Sequence, residues 1–134
     1  MSIDEATTIV TGVDFVSIAT RDLERSDGFY KDTLGLRRSV YRAERNFAEY
    51  ETGTVTLGVL DPERMGVGQF QANVNAIALH VENVEEARRT LEGRGVEFFG
   101  DIFDTGVCHM AFFADPDGNA LMLHHRYAPR TPEA

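Results

Sequence analysis

The chain has 134 residues, of which 43% are hydrophobic and 26% charged, a composition that suits one globular domain with its own core. Lys and Arg number 13 against 22 Asp and Glu, and the resulting net charge of −9 disfavours nucleic acid as a partner because its phosphates would be repelled. The sequence contains no apolar run near the ~20 residues of a membrane span, no signal-peptide pattern at its N-terminus and a single cysteine, so we expect a cytoplasmic protein without disulfides.

The first half of the chain predicts a strand, a helix and three further strands. In the strand over 13–19, Val16 and Ile18 alternate with Phe15 and Ser17. Asp22 is placed to cap a helix over 23–33, which Gly35 ends. The strands that follow are predicted near 36–42, 46–51 and 54–60. A linker with Pro62, Gly66 and Gly68 then occupies 62–73.

The second half repeats this order. Val13 aligns with Val74 and Asp22 with Asn83, an offset of 61 residues in both pairs. Ile77, Leu79 and Val81 alternate with Ala76, Ala78 and His80, and Asn83 with Glu86 resembles a capping box for a helix that Gly93 and Gly95 close. Further strands are predicted near 96–103, 107–113 and 119–125, with a turn at 115–118 and a loose tail over 126–134.

These elements predict an α+β fold in a single domain, residues 1–134. Two βαβββ modules, about 10–61 and about 74–125, each pack a helix on one face of their strands. We expect them to form a curved eight-stranded sheet around a cleft, with the helices on the outer face.

Three motifs resemble those of a known superfamily. They are Asp22-Leu23-Glu24-Arg25-Ser26 with Phe29-Tyr30, then Leu34-Gly35-Leu36, and finally Asp115-Pro116-Asp117-Gly118-Asn119. Together with the repeat, they make residues 10–125 similar to the vicinal oxygen chelate superfamily, which includes glyoxalases, bleomycin resistance proteins and extradiol dioxygenases. The motif residues themselves have structural roles as a cap, core side chains and a turn, so they identify a fold and perform no chemistry.

The resemblance also implies where a metal would be held. The ligand positions of metal-dependent relatives correspond to Phe15, Gly58, Ala76 and Met122, which offer a divalent ion neither an imidazole nitrogen nor a carboxylate oxygen. We therefore expect no metal and no other cofactor at this site, and the family's metal-dependent activities are not carried over.

Three histidines are predicted to lie on one wall of the cleft. Alternation places His80 with Ala76, and His124 with Met122, while His125 points the other way. If the turn pairs Ala114 with Asn119, then His109 lies opposite His124. These histidines are either hydrogen-bonded residues at strand ends or a site for acid–base chemistry, ligand binding or a displaced metal. The sequence supplies them with no carboxylate partner at an evident position, and Cys108 is expected to be buried and inert.

Two functions from different classes follow. The first is a metal-independent protein that binds a small organic molecule, aromatic or antibiotic-like, through Phe15, His80, His109, Met122 and His124. The second is an enzyme of lyase, isomerase or dioxygenase type that uses a relocated site at the histidines. Because two modules alone do not complete a cleft in relatives of this size, a homodimer is also expected.

Overall fold

The computed structural model describes residues 8–130, and within them the fold is α+β, as the sequence predicts. Its elements, in chain order, are β1 (Phe15–Ala19), α1 (Leu23–Asp27), a π-helical turn (Gly28–Thr33), β2 (Arg37–Arg42), a 3₁₀ turn (Ala43–Arg45), β3 (Phe47–Glu51), β4 (Thr56–Leu60), α2 (Pro62–Met65), β5 (Ile77–His80), α3 (Val84–Glu92), β6 (Phe98–Asp104), β7 (Cys108–Ala114) and β8 (Ala120–Arg126). Each predicted strand overlaps an observed one.

The eight strands form two four-stranded sheets with the same topology. Their orders are β1-β4-β3-β2 and β5-β8-β7-β6. In each sheet the first strand pairs in parallel with the fourth, and the remaining pairs are antiparallel. The eight predicted strands are therefore divided between two four-stranded sheets, one in each module. The edge strands β1 and β5 pair only within their own modules in the described part of the chain.

The helix of the first module covers the predicted residues but widens midway. The Asp22 carboxylate accepts a hydrogen bond from the Arg25 backbone N–H at 3.1 Å, which confirms the cap. From Gly28 the helix continues as a π turn, in which the Leu34 N–H donates to the Phe29 carbonyl at 2.9 Å. Gly35 follows with φ at 74°, a left-handed conformation that suits glycine and ends the helix.

The helix of the second module, α3, is a regular α-helix. The linker contains a further helix, α2, which was not predicted. The Asn83 side chain accepts from the Glu86 N–H at 2.9 Å at the start of α3. Pro62 opens the short helix α2, and Asp61 caps it by accepting from the Arg64 N–H at 3.1 Å. This Asp–Pro start is a helix signal in the sequence.

The predicted tail is tied to the sheet at its beginning. Arg126 belongs to β8, and the backbone N–H groups of Tyr127 and Ala128 both donate to the Val107 carbonyl. The Tyr127 hydroxyl also donates to Asp104 at 2.8 Å. The expectation of a loose tail was therefore wrong for 126–128, and its last residues, 131–134, lie outside the described part.

Both modules contribute to one hydrophobic core. Its fully buried members come from the helix-covered faces of both sheets and from the helices. They include Ile18, Tyr30, Tyr50, Leu57, Val59, Phe113, Leu121 and Leu123. The opposite side of each sheet, which we call its open face, is not part of this cluster. Among the described residues, no helix is both long enough and apolar enough to cross a bilayer.

A buried polar cluster fastens the turn between β7 and β8 to the first module. We call it the clasp; its members are Thr20, Ser26, Tyr30, Asp115, Asp117 and Asn119. Asp115 accepts from the Tyr30 hydroxyl at 2.6 Å, and the Asn119 amide donates to the Ala19 carbonyl at 2.8 Å. Burial, followed by the charge of Asp115, raises the pKa of the Tyr30 phenol far above its ordinary value. The phenol is therefore a permanent hydrogen-bond donor.

Asp117 contributes the remaining clasp contacts. Its carboxylate accepts from the hydroxyls of Thr20 at 2.6 Å and Ser26 at 3.0 Å, and it forms an ion pair with Arg25 at 2.7 Å. The Asp-Pro-Asp-Gly-Asn motif therefore joins the two modules, a structural role larger than that of a turn.

Candidate functional site

The principal candidate site is a cavity of about 660 Å³ between the two modules. One wall comes from β1, β4 and the segment that follows the first helix, and the other from β5, α3 and β8. Its aliphatic lining residues are Val16, Leu34, Leu36, Val55, Leu57, Ile77, Ala78, Leu79, Val81, Ala87, Leu91 and Leu123. The volume lies within the range of about 300–1,000 Å³ that is usual for small-molecule sites.

Strand pairing explains why these walls are apolar. Val16 pairs with Leu57 in the first sheet, and Leu79 with Leu123 in the second. Paired residues project from the same face of a sheet, so each pair adds a continuous aliphatic strip on the helix side. The same alternation of apolar residues that fills the core also supplies the apolar residues that line the cavity.

A few polar groups complete the lining. They are supplied by Thr52, Thr54, His80, Thr90 and Arg94. Arg94 already donates to the Thr33 carbonyl at 2.8 Å, and the Thr90 hydroxyl donates to the Glu86 carbonyl at 3.1 Å. The combination of apolar walls and a small polar set suits a ligand with a hydrophobic body and a few hydrogen-bonding groups.

Of the five predicted ligand-binding residues, His80 alone lines this cavity. Phe15 lies at the start of β1 and is 61% exposed. Met122 and His124 occupy the open face of the second sheet, where they pair with Phe112 and Met110 of the neighbouring strand β7, respectively. The structure therefore does not gather the predicted set around the cavity, and a ligand-binding role for the other four stays a prediction.

The predicted pairing of β7 with β8 was wrong by one residue. Ala114 pairs with Ala120, because Asn119 is held inside the turn. There its carbonyl accepts from the Asp115 N–H at 2.9 Å, and its own N–H donates to the Asp115 carboxylate at 2.9 Å. A slip of one residue moves side chains to the opposite face of a sheet.

The corrected register separates two of the histidines. His109 lies opposite His125, on the face that carries Leu121 and Leu123, whereas His124 lies on the open face. The Nε2 atom of His109 lies 3.4 Å from the Oδ2 atom of Asp104. The His109 ring packs against the Tyr127 ring, with the two ring centroids 4.8 Å apart. His80 pairs with His124 on the open face, as alternation predicts, but His109 lies on the other face, so the expected wall of three histidines is incomplete.

The structure brings His80 together with two other residues. Its Nε2 lies 3.2 Å from a carboxylate oxygen of Glu82, and its ring centroid lies 5.8 Å from that of His125. By register His125 lies on the face opposite His80 and His124, as alternation predicts, whereas no carboxylate partner was predicted for the histidines. The spacing His80-Val81-Glu82 at the end of a strand was the available signal.

The positions at which relatives hold a metal do not fit a metal here. Gly58 pairs with Ser17, and Ala78 with Met122, so the strands bring these positions to the open faces. A Cβ built on Gly58 would meet its nearest neighbour, the Val16 carbonyl oxygen, at 3.9 Å, so a side chain could be accommodated. The chemistry of the residues present, rather than a lack of space, disqualifies the site.

Cys108 is buried, with 6% of its surface exposed, as expected. A guanidinium nitrogen of Arg126 lies 3.9 Å from its sulfur.

Comparison with known proteins places this geometry in a family. The model of the Glyoxalase/Bleomycin resistance protein/Dioxygenase superfamily matches residues 12–123. The chain is 27% identical over 120 residues to the uncharacterized protein YraH of Bacillus subtilis, an alignment that covers 81% of this chain and 94% of YraH.

Two solved structures illustrate the range of proteins that share the fold. TnmS3, an antibiotic binding protein from Streptomyces sp. CB03234, has a TM-score of 0.73 and 22% identity, with 89% of this chain and 98% of that chain covered. Lactoylglutathione lyase from Agrobacterium tumefaciens has a TM-score of 0.71 and 15% identity, with 87% and 94% covered. At these identities the likeness shows the fold alone. The chain belongs to the Glyoxalase/Bleomycin resistance protein/Dioxygenase superfamily, in agreement with the resemblance of its motifs.

Proposed function

We propose that this protein binds a small organic molecule in the cavity between its modules, without a metal ion at the family position. The observation that carries the proposal is the cavity of about 660 Å³ with mainly aliphatic walls. An apolar body in such a site is held by desolvation and close packing, neither of which needs a metal.

The lining favours a ligand with a flat, hydrophobic body and one or two polar groups. The imidazole of His80 is the polar side chain of the lining that the sequence also predicted, and its side chain is 66% exposed, so it can meet a ligand. An antibiotic binding protein shares the fold. We extend the proposal to sequestration of an aromatic or antibiotic-like molecule by a cytoplasmic protein.

The alternative function is an enzyme of lyase, isomerase or dioxygenase type that uses His80, His109 and His124 for acid–base chemistry or to hold a relocated metal. Either mechanism requires the three imidazoles to reach one substrate or one ion. His109 and His124 lie on opposite faces of the second sheet, so their arrangement favours binding over this form of catalysis.

We also propose a homodimer. Exposed aromatic side chains at the beginning of β1 and along β6 would be covered by a second copy: Phe15 is 61% exposed, Phe99 62% and Phe103 51%. Light scattering at micromolar concentration should give twice the mass of the chain, and a monomer would contradict the proposal.

The cavity is tested with N-phenyl-1-naphthylamine, a neutral aromatic dye whose fluorescence rises in apolar surroundings. Ala87→Phe and Thr90→Phe each place a ring on the side of α3 that lines the cavity. Arg89→Phe, on the same helix but outside the lining, is the matched control. We expect saturable binding to the unmodified protein and to the control, and a loss of at least about tenfold, or 1.4 kcal/mol, in the two blocked variants.

Two results would count against the cavity. One is the absence of saturable dye binding to the unmodified protein. The other is equal affinity in the blocked and control variants, which would place the dye elsewhere. Far-UV circular dichroism of each variant separates a blocked cavity from a misfolded chain.

A further inference from the structure

A cluster of three potential metal ligands lies where β5 ends. We call it the histidine corner and define it as His80, Glu82 and His125. His80 ends β5, Glu82 precedes the cap of α3, and His125 lies near the end of β8, the strand that pairs with β5. None of these residues corresponds to a position at which the superfamily places its metal ligands.

The spacing of the corner suits one small ion. Each residue offers one ligand atom, and all three atoms lie within 4.8 Å of one another. A tetrahedral ion with bonds of about 2.0–2.2 Å holds its ligand atoms about 3.3–3.6 Å apart. His80 and Glu82 can close the difference by rotation, because their side chains are 66% and 90% exposed.

His125 supplies an independent observation. Its Nδ1 is buried and makes no hydrogen bond within the described residues. Buried ring nitrogens normally have a partner, so one without a partner calls for an explanation. An ion held through Nδ1 would provide that partner, while β8 fixes the position of the ring.

We propose that the histidine corner binds one divalent transition-metal ion of the zinc class. Two imidazoles and one carboxylate match the ligand preferences of zinc and its neighbours better than those of magnesium or calcium, which prefer oxygen alone. Three protein ligands leave a coordination position for water or for a group on another molecule. Since His80 also lines the cavity, the ion lies at the cavity's edge.

The test uses the full-length protein after treatment with a chelator and dialysis. Zn²⁺ is titrated by calorimetry, and Co²⁺ by visible absorption, which reports tetrahedral coordination. We expect one ion per chain, and we expect His80→Gln and Glu82→Gln each to weaken binding at least tenfold. Both side chains are exposed, so these substitutions leave the core intact.

Matched controls remove the same chemical groups elsewhere. His124→Gln removes an imidazole that pairs with His80 across β5 and β8 but is not one of the three ligands, and Glu97→Gln removes an exposed carboxylate. Both controls should keep the affinity of the unmodified protein. The proposal is overturned if no ion binds, or if the His80 and Glu82 variants bind as tightly as the controls.

This site goes beyond the proposed function and can fail separately. Dye binding measured with chelator present reports on the cavity alone, and Zn²⁺ binding measured without dye reports on the corner alone.

Discussion

The two ends of β8 carry polar clusters of opposite character. At its start lies the clasp, in which Asp115 accepts four hydrogen bonds and is 5% exposed. At its end lies the histidine corner, where His80 and Glu82 are largely exposed and a buried nitrogen of His125 makes no hydrogen bond within the described residues. The same strand thus begins in a completed network and ends in an incomplete one.

This difference indicates that the clasp stabilises the fold, whereas the histidine corner is suited to binding. A buried network in which each polar group has a partner offers nothing to a ligand and loses much when one member is removed. An exposed cluster with unused bonding capacity stabilises the fold little and can accept an ion or a ligand. Substitutions at the two ends of β8 should therefore affect different measurements.

The largest expected effect is on stability, at the clasp. Asp115→Ala removes the acceptor of the Tyr30 hydroxyl, of two backbone N–H groups and of the Asn119 amide. Stranding several buried donors should lower the free energy of unfolding by about 3–5 kcal/mol. Urea unfolding followed by far-UV circular dichroism measures this loss.

The control for that experiment is Asp101→Ala, which removes an exposed carboxylate from β6. It should change stability by no more than about 0.5 kcal/mol. Equal losses in the two variants would show that the clasp does not hold the modules together.

A second, smaller effect is acid sensitivity at Asp117. Burial raises the pKa of this carboxyl, but hydrogen bonds from Thr20, the Arg21 N–H and Ser26 and the charge of Arg25 outweigh burial, so the pKa lies below its ordinary value. The folded state then binds the proton less readily than the unfolded state. The resulting stabilisation is present above the unfolded pKa of about 3.9 and is lost as the pH falls through the lower folded value.

Asp117→Asn should therefore be less stable than the unmodified protein near neutral pH and should lose less stability on acidification from about pH 5 to about pH 3. Urea unfolding at both pH values measures the difference between the two proteins. Parallel losses in both would mean that Asp117 does not contribute to the acid sensitivity.

Most of the fold was predictable because its signals are local. Asp22 and Asn83 accept from backbone N–H groups three residues later, and apolar alternation marks the strands whatever they pack against. The repeat predicted two modules of equal topology. Whether their strands join in one sheet depends on how the edge strands β1 and β5 are placed, which alternation does not specify.

The site was less predictable because its geometry depends on contacts distant in sequence. The register of His109 and His124 follows from the hydrogen bonds that hold Asn119 inside its turn, and alternation within each strand does not specify a one-residue shift in how the two strands pair. Glu82 and His125 meet only because β5 and β8 pair in parallel. The cavity lies between modules, so its lining follows from their packing.

The smallest expected effects concern side chains that belong to neither cluster nor core, and they decide which surface binds the ligand. Phe15 is 61% exposed and His124 lies on the open face, so replacing either by Ala should change stability little. With chelator present, a ligand in the cavity predicts unchanged affinity for N-phenyl-1-naphthylamine in both variants. It predicts a loss of about 0.5–1.5 kcal/mol in His80→Ala if the imidazole bonds to the dye's amine. If Phe15→Ala instead weakens binding by the about 1–3 kcal/mol that a covering ring contributes, the open face is the ligand site that the sequence predicted, and the cavity is not.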